Sequence, residues 1–321
     1  MLISLTEACS FLKNCGDTVI PIHQSPDGDC IGAGHALREI LRAMGKRCRV
    51  ECSDKIPARY NYLGCNDINA EDTDFEPENI ISADVADVKL LGTLKEKYGD
   101  RIQLCIDHHV SNLGFAEKTL LYPEAAATCE IVYFIAKELC IELTDRMAAC
   151  IYTGIATDTG CFKYDNTTPE CHEIAAELKR GHKLNYARIN RDMFDVKSPG
   201  RIKIECAAAE LMEYYFGGKL TMVVITGEMM RNAGVDESGL EGCASLPLQP
   251  EGVEVGAMIK EREPGAYKVS LRSANDVNVS EICKTFGGGG HAKAAGCLIK
   301  GDIDDVKKRL AEAVGKALEQ I

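Results

Sequence analysis

The residues best suited to metal chemistry lie in a short loop near the start of the chain. His23, Asp27 and Asp29 follow a β-branched run, residues 18–22, and precede residues 31–44, whose apolar side chains recur at helical spacing. Two aspartates this close in sequence would repel each other if both were charged, and a bound cation removes that penalty. Histidine with aspartate is a ligand set that suits divalent transition metals. The alternative is an Asx turn in which Asp27 and Asp29 only cap the helix.

The same residue types end two further predicted strands. A β-branched run at residues 80–84 ends in Asp84, and a strand predicted over residues 101–106 leads into Asp107, His108 and His109. Strands that alternate with helices indicate a parallel, doubly wound sheet, in which the carboxyl ends of the strands share one edge. We therefore expect these residues to converge with the first loop, although they are far apart in sequence.

Asp158 could complete this carboxylate set, because it lies where a helix predicted over residues 145–157 runs into a loop. Taken alone, Asp158 is better explained as a turn residue that bonds to its own backbone. The candidate metal ligands are His23, Asp27, Asp29, Asp84, His108 and Asp158. If Asp84 bridges two ions, the pair can activate a water and stabilise the attacking and leaving oxygens of a phosphoryl displacement. His109 then remains to meet the phosphate as a donor or proton carrier.

A second region of the chain follows residues 197–200, Lys-Ser-Pro-Gly, which form the best candidate domain boundary. We predict an α/β chain in which a doubly wound parallel sheet, residues 1–196, carries the metal site. A linker helix, residues 197–215, joins it to a smaller α/β substrate-binding domain, residues 216–321. The polar stretch at residues 57–77 is rich in turn-forming residues.

Four consecutive glycines, residues 287–290, and the adjoining His291 form a second candidate site. Glycines let backbone N–H groups approach an anion closely, and His291 adds a side-chain donor. The alternative is a flexible turn between a helix predicted over residues 279–286 and a strand predicted over residues 294–300. Arg272 shares a strand face with Ser270 and could clamp a phosphate, or it could be a solvated strand arginine. Lys293 is a weaker candidate.

Composition limits the classes of function. A chain of 321 residues with 45% hydrophobic and 27% charged residues is typical of a two-domain soluble protein. Its N-terminus has the features of neither a signal peptide nor a membrane span. The 16 cysteines form no Cys-x-x-Cys pair, which argues against structural zinc or a disulfide framework and favours a reducing cytoplasm. A net charge of −12 disfavours binding along a long nucleic acid but permits a small anionic substrate.

Together these motifs resemble those of the DHH/DHHA1 phosphoesterases, a superfamily that includes RecJ-type exonucleases, family II pyrophosphatases and nanoRNase/pAp phosphatases. The matching motifs are His23-x3-Asp27-x-Asp29, the strand end at Asp84, Asp107-His108-His109, Asp158 before Gly160, and Gly287 to His291. They span nearly the whole chain in the expected order. Its length and its Gly-Gly-Gly-Gly-His sequence most resemble the group that cleaves very short RNAs and adenosine 3′,5′-bisphosphate (pAp).

The resemblance implies a site with two manganese ions. One ion would be held by His23, Asp27 and Asp84, and the other by Asp29, Asp84, His108 and Asp158. His109 would contact the phosphate, and Asp107 would orient a ligating histidine. The residues that would grip the far end of the nucleotide are Arg272, Gly288, Gly289, Gly290 and His291.

The function implied by the resemblance is that of a cytoplasmic, manganese-dependent hydrolase, which could form a homodimer. Its substrates would be short RNA, dinucleotides or pAp, rather than long duplex DNA or a membrane. It would trim short RNAs to mononucleotides and convert pAp to AMP. Two alternatives stay open, namely a phosphodiesterase for cyclic-di-AMP or linear dinucleotides, and a non-catalytic nucleotide-binding regulator on the same fold.

Overall fold

The computed structural model describes residues 1–65, 75–236, 238–240 and 242–320. The chain divides into two compact units, Met1–Val196 and Lys197–Ile321. The turn-rich stretch predicted at residues 57–77 lies partly outside the described residues. No helix among the described residues is both long and apolar enough to cross a membrane.

The first unit is built on a parallel sheet with helices on both faces. Its strands are β1 (Thr18–Pro21), β2 (Cys48–Glu51), β3 (Asn79–Ala83), β4 (Leu104–Asp107) and β5 (Lys118–Leu121). Its helices are α1 (Leu5–Asn14), α2 (Gly28–Ala43), α3 (Leu94–Tyr98), α4 (Thr128–Glu138), α5 (Asp145–Asp158), α6 (Pro169–Gly181) and α7 (Tyr186–Asn190). Five of these helices, α1, α2, α5, α6 and α7, begin with a side-chain cap; for example, Thr168 caps α6 ahead of a proline.

The strand order of this sheet, β2-β1-β3-β4-β5, places its crevice between β1 and β3. All four neighbouring pairs are parallel, so the doubly wound sheet predicted from the sequence is confirmed. The chain leaves β1 toward one side of the sheet and later returns to β3 on the other side. In such sheets the ligand crevice lies beyond the carboxyl ends of the two strands at this reversal. His23 and Asp84 follow those two strands.

Both faces of this sheet are covered, which explains why its strands are almost continuously apolar. On one face, Ile20 and Ile81 belong to a core packed against α1, α2, α4 and α5. On the other face, Val19 and Ile80 pack with the residues of α3 and its neighbouring turns. Strands buried on both faces read as unbroken hydrophobic runs rather than as alternating ones.

The second unit has a mixed six-stranded sheet. Its strands are β6 (Glu213–Tyr215), β7 (Leu220–Ile225), β8 (Val255–Glu263), β9 (Ala266–Ser273), β10 (Gly289–His291) and β11 (Ala294–Lys300), in the order β10-β11-β9-β8-β7-β6. Its helices are α8 (Pro199–Glu210), α9 (Gly227–Ala233), α10 (Val279–Lys284) and α11 (Ile303–Leu318). Only the pair β7–β8 is parallel among the pairs of this sheet that the described residues form. Helices α10 and α11 cover one face, and α8 packs on the other beside β7.

Two predictions about this unit need correction. The helix predicted over residues 197–215 spans Pro199–Glu210, because Glu213–Tyr215 pairs with β7 as a strand. This helix, predicted as a linker, belongs to the second unit, where Ile204 and Ala208 are buried against Val223. The glycine-rich stretch predicted as a loop continues into a short strand, because β10 pairs with β11.

Close packing between α2 and α5 depends on the small size of Gly32. A Cβ placed on Gly32 would lie 2.5 Å from the Cys150 carbonyl oxygen and 2.8 Å from Cys129 Sγ. We expect Gly32→Ala to lower the free energy of unfolding by about 1–3 kcal/mol, since a core without free space must shift its backbone. Chemical denaturation measures this change. The control is Gly181→Ala at the end of α6, where a Cβ meets nothing within 4 Å. Equal stability of the two variants would contradict the packing argument.

Candidate metal centre

Five segments of the first unit bring the eight predicted residues of that unit to one edge of the sheet. Within it, donor atoms of three groups of residues lie within 4.8 Å of one another. These groups are His23 with Asp27, Cys30 and Asp84; Asp84 with His108 and His109; and Asp29 with His108 and Asp158. Asp107 adjoins the second group, where its carboxylate bonds the His109 ring. The convergence expected from the strand ends is therefore present in the fold.

His23 and His108 both direct their Nε2 atoms toward the carboxylates, because their Nδ1 atoms are engaged elsewhere. The Nδ1 atom of His23 lies 2.7 Å from the Gln24 carbonyl oxygen, and that of His108 lies 3.0 Å from the Ala125 carbonyl oxygen. A carbonyl can only accept, so each Nδ1 carries the proton and donates it. In the neutral rings, Nε2 is then left as the lone-pair atom. Holding Nδ1–H in this way is how proteins orient a histidine that binds a metal.

Asp84 lies between these two histidines and offers one carboxylate oxygen to each. Its Oδ2 is 3.6 Å from His23 Nε2, and its Oδ1 is 3.8 Å from His108 Nε2. The Thr128 hydroxyl donates to Oδ1 at 2.8 Å, which fixes the carboxylate. The backbone of Asp84 has a φ of +60°, a left-handed conformation that is uncommon outside glycine. Such strain at a strand end is typical of a functional position.

Asp29 is fully buried and is held by the start of α4. One oxygen accepts from the Thr128 N–H at 2.6 Å and the other from the Cys129 N–H at 2.9 Å. A helix N-terminus stabilises a negative charge in this way. Burial nevertheless raises the pKa of Asp29 well above its usual value, and the charges of Asp84 and Asp158 raise it further. Without a bound cation, the negative charges of these buried carboxylates are therefore not fully compensated by the protein.

The remaining pKa shifts show the same excess of negative charge. Burial raises the pKa of Asp158 to about 6, and nearby Asp84 contributes although His108 opposes it. Burial alone would lower the pKa of His108, but the carboxylates of Asp158, Asp29 and Asp84 raise it to about 10. In the same sense, Asp27 and Asp84 raise the pKa of His23 against the effect of burial. Without cations, protons must balance these carboxylates.

The donor set fits divalent cations. His108 Nε2 is buried and makes no hydrogen bond, yet it lies 3.3 Å from Asp158 Oδ2 and 4.0 Å from Asp29 Oδ2. A buried polar atom without a hydrogen bond in such surroundings is best explained by a bound ion. Cys30 also belongs to the first group, but it is not among the predicted ligands, and burial raises the pKa of its thiol well above the ordinary value. Its Sγ donates instead to the Asp27 carbonyl oxygen at 3.7 Å.

Asp107 supports His109 rather than a metal-facing ring. Its Oδ1 accepts from His109 Nδ1 at 2.7 Å and from the His108 backbone N–H at 2.9 Å, while Asn112 donates to Oδ2 at 2.6 Å. These bonds outweigh the effect of burial and lower the pKa of Asp107. The resemblance implied that Asp107 orients a ligating histidine. In the structure Asp107 holds the ring of His109, whereas the ring of His108 is held by the Ala125 carbonyl.

Three supporting residues escaped the sequence analysis. The Thr128 hydroxyl donates to Asp84 from a distant part of the chain. The Asn112 side chain donates to Asp107 across a loop. Gly154 leaves room for Asp29, because a Cβ at Gly154 would lie 2.5 Å from Asp29 Oδ1 and would also meet Cys129 Sγ. Of these three residues, only Thr128, which follows three alanines, carries a sequence signal, that of a residue at a helix start.

In the second unit, Arg272 and His291 lie on one face of the sheet. Both belong to a row of cross-strand partners, because Ala294 pairs with Arg272 on one side and with His291 on the other. Directly opposed residues point to the same face. The alternation predicted along β9 is also present, with Ser270 and Arg272 less buried than their neighbours.

The glycines of this unit have backbone roles of their own. Gly288 passes so close to the Gly296 carbonyl that a Cβ would collide with it, and its N–H donates to the Cys283 carbonyl at 2.9 Å. That N–H is therefore not directed at a ligand. Gly290 has a φ of +144°, which favours glycine. Gly289 has no atom within 4 Å of its Cβ position, and Lys293 is exposed.

Comparisons with known proteins agree with this architecture. Residues 17–155 match the DHH family, N-terminal domain, and residues 217–320 match the DHHA1 domain. The chain is 32% identical over 308 residues to the bifunctional oligoribonuclease and PAP phosphatase NrnA of Thermus thermophilus, covering 94% of this chain and 90% of that protein. It is 26% identical to the probable counterpart in Streptococcus mutans, covering 89% and 90%. The fold is similar to that of an exopolyphosphatase-related protein from Bacteroides fragilis, with a TM-score of 0.88 and 24% identity over 97% and 95% of the two chains.

The pKa shifts predict how stability depends on pH. A raised folded-state pKa favours the protonated form, so the stability that it contributes is lost as pH rises. For Asp158 this loss is complete near pH 6, and for His108 it extends from about pH 6.5 toward 10. The melting temperature of metal-free protein should therefore fall between about pH 6.5 and 8.5. Added Mn²⁺ should raise it more at the higher pH, because metal binding displaces these protons.

Thermal unfolding with a chelator or with saturating Mn²⁺ measures this effect at both pH values. Asp84→Asn keeps the shape of the side chain but removes the shared charge, and it should lose most of the metal-dependent stabilisation. The exposed Asp100→Asn is the matched control and should keep it. An equal gain at both pH values would contradict the prediction.

Proposed function

This chain belongs to the DHH/DHHA1 family, and we propose that it is a two-metal phosphoesterase that hydrolyses short oligoribonucleotides to mononucleotides and converts pAp to AMP and phosphate. The observation that carries the proposal is the position of Asp84, whose two oxygens face Nε2 atoms of two different histidines. A carboxylate shared in this way fits a pair of ions better than a single ion. The relatives named as oligoribonuclease and PAP phosphatase supply the proposed substrates.

The resemblance supplies the ligand sets, and the groups of neighbouring donor atoms support them. One ion would be held by His23, Asp27 and Asp84, and the other by Asp29, Asp84, His108 and Asp158. The ions would supply Lewis-acid activation of a water and charge neutralisation at the scissile phosphate. Carboxylate-rich sets with imidazole suit Mn²⁺, which we propose as the metal. The net charge of −12 makes such local cations necessary for an anionic substrate.

His109 is the residue that we assign to the phosphate. Its Nδ1 donates to Asp107, so Nε2 is the atom that can face the substrate. Its side chain is 29% exposed, whereas that of His108 is 13% exposed. Asp107 raises the pKa of His109 against the effect of burial, which favours the protonated ring that can donate to a phosphate oxygen. Asp107 and Asn112 fix the direction of that ring.

Arg272 and His291 are proposed to bind a second anionic part of the substrate in the substrate-binding domain. Their common sheet face supports this role, and small residues, Gly289 and Ala294, lie beside them in the register. An arginine guanidinium and an imidazole together suit a phosphate. Gly288 is retained as a residue that shapes this surface rather than as a donor to the ligand.

The substrate range is tested with purified protein and Mn²⁺. We expect phosphate release from pAp and cleavage of RNA dinucleotides, and much slower cleavage of long single-stranded RNA, because an acidic chain gains little from many phosphates. His109→Gln should lower kcat by about 10²–10⁴-fold, as expected for a lost proton donor, while metal-dependent stabilisation remains. His182→Gln is the matched control, since the His182 side chain bonds only Asp145 among the described residues.

Three results would contradict the proposal. Degradation of long RNA as fast as of dinucleotides would remove the short-substrate assignment. Cleavage of cyclic-di-AMP or its linear product without any release of phosphate from pAp would identify a dinucleotide phosphodiesterase instead. Binding of nucleotides without turnover of any of them would identify a regulator.

A further inference from the structure

The loop that follows Asp158 has an unusual backbone. Three consecutive residues, Gly160, Cys161 and Phe162, have φ values of +55°, +60° and +63°. Glycine adopts this conformation freely, but cysteine and phenylalanine do so at a cost in conformational energy. A strained conformation persists only where the surrounding structure fixes it, and such positions cluster at ligand sites. The proposed metal centre contains Asp158, two residues before the strained segment.

Hydrogen bonds and ring packing fix this loop. The Phe162 N–H donates to Thr159 Oγ1 at 3.0 Å, and the Phe162 ring stacks on His172 with centroids 5.1 Å apart. The Asn166 side chain donates to the carbonyl oxygens of Ala126 at 3.3 Å and Asp158 at 3.2 Å. The loop is thereby connected both to the start of α4 and to the metal-ligand candidate itself.

The strained turn presents Tyr164 to solvent against Gly160, two residues after Asp158. Tyr164 is 60% exposed, and its N–H donates to the Thr159 carbonyl at 3.0 Å. A Cβ on Gly160 would lie 2.6 Å from both Cε atoms of the Tyr164 ring and also collide with Cζ. Equal distances to the two Cε atoms mean that the ring turns a face, not an edge, toward Gly160. Gly160 therefore supports one face of the ring, and the exposed part is a flat aromatic surface.

We propose that Tyr164 forms a nucleobase-binding surface, on which the base of the nucleotide at the metal centre stacks. The inference rests on the proposed function, since it assigns the base of that substrate to this loop. Single exposed aromatic residues are common on protein surfaces. Tyr164 differs because a strained and hydrogen-bonded loop holds its ring against Gly160, two residues after Asp158. Every base has a π-face, so stacking would bind short RNAs of any sequence.

The test compares Tyr164→Ala and Tyr164→Phe with the wild type. We expect Tyr164→Ala to raise KM for pAp and for dinucleotides about tenfold, within the roughly 5- to 150-fold that stacking of one base provides. Tyr164→Phe should restore wild-type values, because it keeps the ring. The abasic ribose 3,5-bisphosphate should show no difference between the three proteins. Tyr214→Ala, which removes a tyrosine that is 59% exposed, is the matched control.

Two outcomes would overturn the inference. An unchanged KM in Tyr164→Ala would show that the ring contributes nothing to binding. An equal loss of kcat with pAp and with the abasic compound would show that Tyr164 acts by positioning Asp158. Metal-dependent thermal stabilisation of Tyr164→Ala, expected to be wild-type, separates these cases. If the wild type turns over no nucleotide, calorimetric binding of AMP in the presence of Mn²⁺ still decides, and equal affinities for wild type and Tyr164→Ala would overturn the inference.

Discussion

Repulsion among buried carboxylates is the physical constraint on which the first unit depends. Asp29 and Asp84 are almost completely buried. Asp27 lies near His23, and Asp158 lies near His108, in the groups of neighbouring donor atoms. Burial of a charge is costly unless the charge is paired or coordinates a metal. The raised pKa values of Asp29 and Asp158 indicate that the protein's own groups do not fully compensate these negative charges. The account therefore assigns the missing positive charge to bound cations.

The fold reduces this repulsion by placing N–H and hydroxyl donors, together with small residues, around the carboxylate cluster. The N-terminus of α4 directs two N–H groups at Asp29, and Thr128 adds a hydroxyl to Asp84. Close contact between α2 and α5 brings Asp29 next to Gly154, where any side chain would collide. The strand order then places β1 and β3 side by side, so that His23 and Asp84 meet at the reversal of the sheet.

Much of this site could be predicted from the sequence, because it follows from two general rules. Parallel strands end at one edge, and histidines and aspartates at several such ends must converge. These rules place His23, Asp84 and His108 together from the sequence alone, and the resemblance supplies the ligand sets. The partner of Asp107 was not predictable, since Asp107 could bond either adjacent histidine and only the position of Ala125 decides between them.

The sequence was less informative where a role belongs to the backbone. The N–H donors to Asp29 come from residues about 100 positions away in sequence, and main-chain groups carry no residue signature. Four glycines are compatible with a turn as well as with an anion site, and only the close approach of Gly288 to the Gly296 carbonyl oxygen shows that Gly288 serves close packing. The length of α8 was overestimated because Glu213–Tyr215 becomes a strand only through its pairing with β7.

Anomalous scattering from crystals soaked in Mn²⁺ tests the central claim most directly. Data collected at the manganese absorption edge should show two peaks per chain that share the carboxylate of Asp84. One peak should lie against His23 and Asp27, and the other against Asp29, His108 and Asp158. A single peak, or ions bound away from Asp84, would contradict the assignment of a two-metal centre.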